Sequence, residues 1–65
     1  MSQKEVFEAL QTLGGKASFD DIVAQLKKSG KEGHRVKVRD SLIRLKNKSC
    51  VKDDRGTWIV TGNFE

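Results

Sequence analysis

The stretch that decides the fold is VKVRDSLIRLKNKSCVKDDRGTWIV, residues 36–60. Its first half is rich in Lys and Arg and has a helical pattern. The apolar positions of that pattern follow the i, i+4, i+7 spacing of one buried helix face, at Val38, Leu42 and Leu45. This spacing predicts a helix that begins near His34 or Arg35 and runs to about Lys48.

The second half of the stretch has the composition of a β-hairpin. Residues 50–52 and 57–60 are rich in residues that favour strands. Between them, Asp53-Asp54-Arg55-Gly56 supplies turn residues, and Gly56 can adopt a positive φ without steric cost. We therefore expect two short strands joined by a turn.

Two shorter amphipathic helices precede this stretch. The first has Val6, Leu10 and Leu13 on one face, and Gly14-Gly15 ends it. Ser2 and Glu5 at its start have the spacing of a capping box, in which each side chain satisfies the other's backbone amide.

The second helix begins after Ser18, which is a good N-cap residue, and Gly30 ends it. It has one buried stripe, formed by Ile22, Val23 and Leu26. Between the two helices, Lys16-Ala17 is too short to assign from pattern but could pair with the hairpin as a third strand. The chain is therefore predicted to have an α+β fold, with three helices followed by a two-stranded hairpin.

Length and composition restrict the possible functions. The 65 residues predict a single domain over residues 1–65, and the net charge of +4 favours acidic partners, of which nucleic acid is the commonest. Cys50 is the only cysteine, which excludes an internal disulfide and a thiolate metal site. With no apolar signal or membrane-spanning run, we expect an intracellular protein, in the cytoplasm and nucleoid or in the nucleus, with no membrane partner.

Catalysis is poorly supported by the residues. The sequence has no phosphate loop, no dinucleotide-binding fingerprint and no nucleophile with a plausible base. His34 is the only histidine and has no second ligand at metal-binding spacing. We expect neither an enzyme nor a cofactor, a metal or a small-molecule substrate.

The third predicted helix carries a row of polar side chains beside its buried face. At about 100° per residue, four of them align at i, i+4, i+7 and i+11, namely Lys37, Ser41, Arg44 and Lys48. The cations can reach phosphates and the short hydroxyl can reach base edges, which suits the major groove of DNA. The alternative interpretation is a solvated helix face, which is what most charged rows are.

Two further groups of residues could support this contact. Around the predicted hairpin turn lie Lys52, Arg55 and Thr57, of which Arg55 could enter a minor groove or bind phosphate. Around the turn before the third helix lie Lys31, His34 and Arg35, which could clamp the DNA backbone beside the groove.

The chain resembles the winged helix-turn-helix superfamily over essentially its whole length. The resemblance rests on Ile22 and Leu26, on Val38-x-x-x-Leu42-x-x-Leu45, and on Val51 with Gly56-Thr57-Trp58-Ile59-Val60. It implies that the third helix enters a groove of double-stranded DNA and that the hairpin, the wing of this family, flanks it. Transcription regulation and chromatin or nucleoid organisation are the roles that such a domain would serve.

Two alternatives stay open at this stage. The same scaffold could be a protein-interaction module that docks a partner through Val36, Ile43 and the wing. Gly30-Lys31-Glu32-Gly33 also fits the GxxG loop that KH domains use to clamp single-stranded nucleic acid. A KH domain would require a strand at residues 6–13, where the pattern predicts a helix.

Overall fold

A computed structural model describes residues 3–31 and 34–64, which form three helices and three strands. The order along the chain is α1 (Gln3–Thr12), β1 (Lys16–Ser18), α2 (Phe19–Lys28), α3 (Arg35–Asn47), β2 (Val51–Asp54) and β3 (Thr57–Val60). The predicted α+β class and the predicted order of elements are confirmed. The structure has a helix, α1, where a KH-like fold would need a strand. No helix among the described residues is long and apolar enough to cross a membrane.

The three strands form one antiparallel sheet with the order β1-β3-β2. β1 pairs with β3 so that Ala17 lies opposite Trp58, which confirms the third strand considered from the sequence. The middle position of β3 fixes the hairpin to the start of α2, because β1 runs directly into that helix.

The hairpin turn is tighter than the sequence predicted. Only Arg55 and Gly56 lie in the turn, and both have positive φ, 53° and 88°, as the type I′ turn of a two-residue hairpin requires. Asp53 and Asp54 were expected in the turn but belong to β2, because the register pairs them with Trp58 and Thr57. The Asp53 carboxylate also accepts a hydrogen bond from the Gly56 amide at 3.0 Å, which holds the turn closed.

The hydrophobic core lies between the three helices and one face of the sheet. Each helix buries a stripe of aliphatic side chains, and the sheet contributes Ala17, Val51 and Trp58. The predicted stripes of α2 and α3 are buried as expected, whereas Leu13 of the predicted first stripe is only partly buried. The core therefore fixes which face of α3 remains for solvent or a partner.

A side-chain cap marks the start of α2, and two glycines mark the end of α1. The Ser18 hydroxyl accepts a bond from the Asp21 amide at 3.2 Å, which confirms the predicted N-cap of α2. Gly14 and Gly15 follow α1 with positive φ, as the predicted helix end requires. Ser2 of the predicted capping box and residues 32–33 of the turn before α3 lie outside the described residues.

The segment after β3 folds back over the junction between α3 and β2. The amides of Thr61 and Gly62 donate to the Cys50 carbonyl at 2.9 and 3.1 Å. The Phe64 ring then packs on Phe7 of α1, with 6.0 Å between ring centroids. This segment covers the end of α3 that carries Lys48.

Candidate nucleic-acid interface

One side of α3 is buried and the opposite side is open. The buried side chains are Val38, Ser41, Leu42 and Leu45, and they span an arc of about 100° around the helix axis. Roughly opposite this arc lie four exposed residues, which we call the outward ridge: Val36, Asp40, Ile43 and Asn47. The outward ridge is the part of α3 that can enter a groove without disturbing the core.

Ser41 does not lie where the sequence analysis placed it. It was predicted to offer a short-range contact to DNA, but it is only 7% exposed and belongs to the buried arc. The reason is the helical repeat: four residues turn the helix by about 400°, so Ser41 lies about 40° nearer the core than Lys37. Ser41 is therefore a packing residue and leaves the candidate interface.

Lys37 and Arg44 keep their predicted place on one side of the outward ridge. Both side chains are exposed. Within the described part of the chain, neither has an ion-pair or hydrogen-bond partner, so each charge is available to a ligand. Asp40 of the outward ridge makes no ion pair among these residues.

Lys48 lies at the end of the same row but turns away from it. Its ammonium group donates to the Gln3 side-chain oxygen at 3.0 Å and lies 5.4 Å from the centroid of the Phe64 ring. Both partners belong to the surface formed by α1 and the C-terminal segment. Lys48 is thus less available to a ligand on α3 than Lys37 or Arg44.

A second flank of cations lies on the other side of the ridge and was missed by the sequence analysis as a binding surface. Arg39 and Lys46 are exposed and lie about 80–100° from the core stripe, on the side opposite Lys37. The helical angle that located the first row would have located these two as well. The outward ridge therefore has cations along both edges.

Arg39 of the second flank faces the hairpin across an open groove of about 410 Å³. Its lining residues come from α2, α3 and the hairpin: Phe19, Arg35, Val36, Arg39, Asp53, Gly56 and Trp58. Trp58 is only 8% exposed, so it lines the groove with a small part of its surface and packs mainly in the core. The groove brings α3 and the hairpin turn onto one continuous surface.

The predicted contacts before α3 are partly engaged within the protein. Arg35 forms an ion pair with Asp20 at 2.8 Å, and its guanidinium lies 4.8 Å from the centroid of the Phe19 ring. Lys31 forms an ion pair with Glu5 of α1 at 3.0 Å. The Arg35–Asp20 pair is well exposed to solvent, so Arg35 can exchange Asp20 for phosphate at little cost, whereas the Lys31–Glu5 pair is only partly exposed. His34 is exposed at the N-cap of α3.

The hairpin residues divide between the two faces of the sheet. Arg55 is exposed at the tip. Lys52 alternates with Val51 and Asp53, so it lies on the face away from α3, and half-buried Thr57 pairs with Asp54. Of the three predicted hairpin contacts, Arg55 is thus the one placed at the leading end of the hairpin.

Among the described residues, no three His, Cys, Asp or Glu side chains lie close enough to hold a metal ion. Neither the family models nor the curated proteins nor the solved structures compared with this chain gave a match.

Proposed function

We propose that this chain is a winged helix-turn-helix domain that binds double-stranded DNA, with α3 in the major groove and the β2–β3 hairpin as a wing on the backbone or in the minor groove. The element order, the sheet order β1-β3-β2 and the groove between α3 and the hairpin support this fold assignment. Transcription regulation and chromatin or nucleoid organisation are the roles we assign to it.

The observation that carries the proposal is the pair of cationic edges on α3. Lys37 and Arg44 line one edge of the outward ridge, and Arg39 and Lys46 line the other. A duplex presents a row of phosphates on each side of its major groove, so a helix with cations along both edges matches that geometry. A helix that only needed to be soluble would gain more from mixed charges than from like charges, which repel each other.

The charges also give an expected salt dependence. Together with Arg35 and Arg55, the four cations along the two edges of the outward ridge provide about six phosphate contacts, for which the logarithm of affinity falls with the logarithm of salt concentration with a slope of about −5. Affinity should therefore drop by about three orders of magnitude between 50 and 200 mM salt.

The test is a fluorescence anisotropy titration with a mixed-sequence duplex at several salt concentrations. The double variant Lys37→Glu, Arg44→Glu should reduce affinity by at least about a hundredfold, since two contacts are lost and two repulsions are introduced. Lys16→Glu, Lys27→Glu is the matched control, because it changes the net charge equally but at exposed positions of β1 and α2. Equal losses in the two variants, or an unchanged affinity in the first, would contradict the proposal.

A protein-interaction role is the second candidate, and one observation favours it. Val36 is 73% exposed and Ile43 is 41% exposed, which makes them the exposed large hydrophobic residues among those described. A partner bound through them would persist at high salt, whereas the DNA complex would not. Light scattering and pull-down at 0.5 M salt therefore separate the two candidates.

A further inference from the structure

The two exposed hydrophobic side chains occupy the centre of the outward ridge. Val36 and Ile43 are seven residues apart on α3, so they lie within about 20° of each other around the helix and about 10.5 Å apart along it. Single exposed aliphatic residues are ordinary on protein surfaces. These two, however, form an apolar stripe with cations on both sides.

Val36 and Ile43 do not stabilise α3 by their helix propensity. Both are β-branched, and such residues lose side-chain freedom in a helix, so exposed positions favour other residues. Both also lie at solvent-exposed positions, where a polar side chain would be better solvated. A ligand that contacts this stripe would explain why apolar side chains occupy it.

The surroundings of the stripe favour one kind of ligand. An apolar protein surface would have to leave the cations of both edges without partners, whereas a DNA duplex supplies phosphates on both sides of the major groove. Inside that groove, the apolar group on a base edge is the C5 methyl group of thymine. Charge and apolar contact are therefore satisfied together by an A·T-containing duplex.

We infer that Val36 and Ile43 contact thymine methyl groups and give this protein a preference for A·T-containing sites. This inference rests on the proposed function and adds sequence selectivity to it. The separation of about 10.5 Å along α3 corresponds to at most about three base-pair steps of 3.4 Å along the duplex axis, and to fewer because a helix in the groove is inclined to that axis. Thymines about two to three steps apart would therefore meet both side chains.

The other two residues of the outward ridge are compatible with base reading. Asn47 can form paired hydrogen bonds with adenine, and Asp40 can accept one from the amino group of cytosine. The ridge therefore carries neutral and acidic groups that suit base edges, while its two edges carry the cations that suit phosphates.

The experiment compares two duplexes that differ only in the methyl group. One is a 16-base-pair alternating A·T duplex, and the other has every thymine replaced by uracil, which keeps all hydrogen-bonding groups. Competition anisotropy at 100 mM salt measures the affinity ratio. Removing a methyl group from an apolar contact should weaken binding about fourfold, so two contacts should give a ratio of about fifteen.

The double variant Val36→Ala, Ile43→Ala tests whether these side chains cause the ratio. It should lose more affinity for the thymine duplex than for the uracil duplex, so its thymine-to-uracil ratio should fall towards one. The control is Lys37→Ala, which removes a phosphate contact and should weaken binding to both duplexes equally, leaving the ratio at about fifteen.

The outcomes separate the inference from the proposed function. Tight, salt-dependent binding to both duplexes with a ratio of one would overturn the inference and leave DNA binding intact. If the double variant keeps the wild-type thymine-to-uracil ratio, the preference comes from DNA shape, and the inference is also overturned. Absence of binding to either duplex would overturn both. A partner or self-association lost in the double variant, with an unchanged ratio, would assign the stripe to protein contact instead.

Discussion

Replacing Arg55 by Asn should make the protein more stable and weaken its binding to DNA. Arg55 has a φ of 53°, in the left-handed region, and sits at the first position of a type I′ turn whose second residue is Gly56. An ordinary L-residue in this region costs about 1–2 kcal/mol, whereas Asn tolerates it well and Asn-Gly is a preferred pair for this turn.

The size of both effects follows from the structure. Relief of about half the backbone cost should stabilise the folded state by about 0.5–1 kcal/mol, which raises the melting temperature of a domain this small by about 2–8 °C. Loss of one phosphate contact should reduce the salt slope by about 0.9 and the affinity at 100 mM salt by about five- to tenfold.

Thermal unfolding followed by circular dichroism and anisotropy titrations at four salt concentrations would measure the two effects. Arg55→Lys is the matched control, because it keeps both the charge and the backbone cost, so neither the melting temperature nor the slope should change. An Asn variant that is no more stable than wild type would refute the strain reasoning. A more stable variant with the wild-type salt slope would show that the hairpin tip does not contact DNA.

Three further substitutions test the fold. Leu42→Ala, at a fully buried position, should lower the free energy of unfolding in urea by about 2–5 kcal/mol. Ile43→Ala, at the exposed neighbouring position, should lower it by less than about 1 kcal/mol. Equal losses in the two variants would contradict the assigned buried face of α3. Gly62→Ala should cost about 1–3 kcal/mol, because its Cβ would lie 2.8 Å from the Ser49 carbonyl oxygen; wild-type unfolding would show that this close approach is wrong. Ser18→Ala should lose the N-cap of α2 and about 1 kcal/mol, and Ser18→Asp should recover most of it.

Most of the fold could be predicted from the sequence because its signals are local. All three helices have clear apolar stripes, glycines follow α1 and α2, and Ser18 caps α2. The hairpin has strand-forming residues on each side of a turn. β1 has no comparable signal, because three residues carry no period. It becomes a strand only by pairing with β3, about forty residues away, and that pairing depends on the folded core.

The extent of the turn could not be predicted for a similar reason. Asp53, Asp54, Arg55 and Gly56 are all residues that turns accept, so composition alone does not separate a four-residue turn from a two-residue turn. The observed register decides it, because Asp53 and Asp54 pair with Trp58 and Thr57 and therefore belong to β2. The buried faces of the strands do not decide it, since a register shifted by two residues would leave Val51 and Trp58 on the same side of the sheet.

The candidate site could be predicted in part. Helical angles placed Lys37 and Arg44 correctly on an exposed side of α3. The same angles place Ser41 about 40° nearer the core than Lys37, so its burial could have been predicted. They could not show that Lys48 is held by Gln3 and the Phe64 ring. The position of Lys48 depends on α1 and on the C-terminal segment, which helical angles within α3 do not describe.

The position of the second flank relative to the hairpin could not be predicted either, because it depends on the sheet. Arg39 and Lys46 were available from the same angular reasoning, but only the position of the hairpin shows that Arg39 borders a groove shared with Gly56 and Trp58. The surface that combines α3 with the hairpin is thus a property of the tertiary structure.

An amide NMR titration with a mixed-sequence DNA duplex, at 50 and 150 mM salt, tests most directly whether the outward ridge binds DNA. We predict shifts concentrated in α3 and in the hairpin turn, across residues 35–47 and 53–57, with weaker binding at the higher salt. Absence of shifts at 50 mM salt, or shifts concentrated on α1 and on the face of the sheet that carries Lys16 and Lys52, would contradict DNA binding through α3.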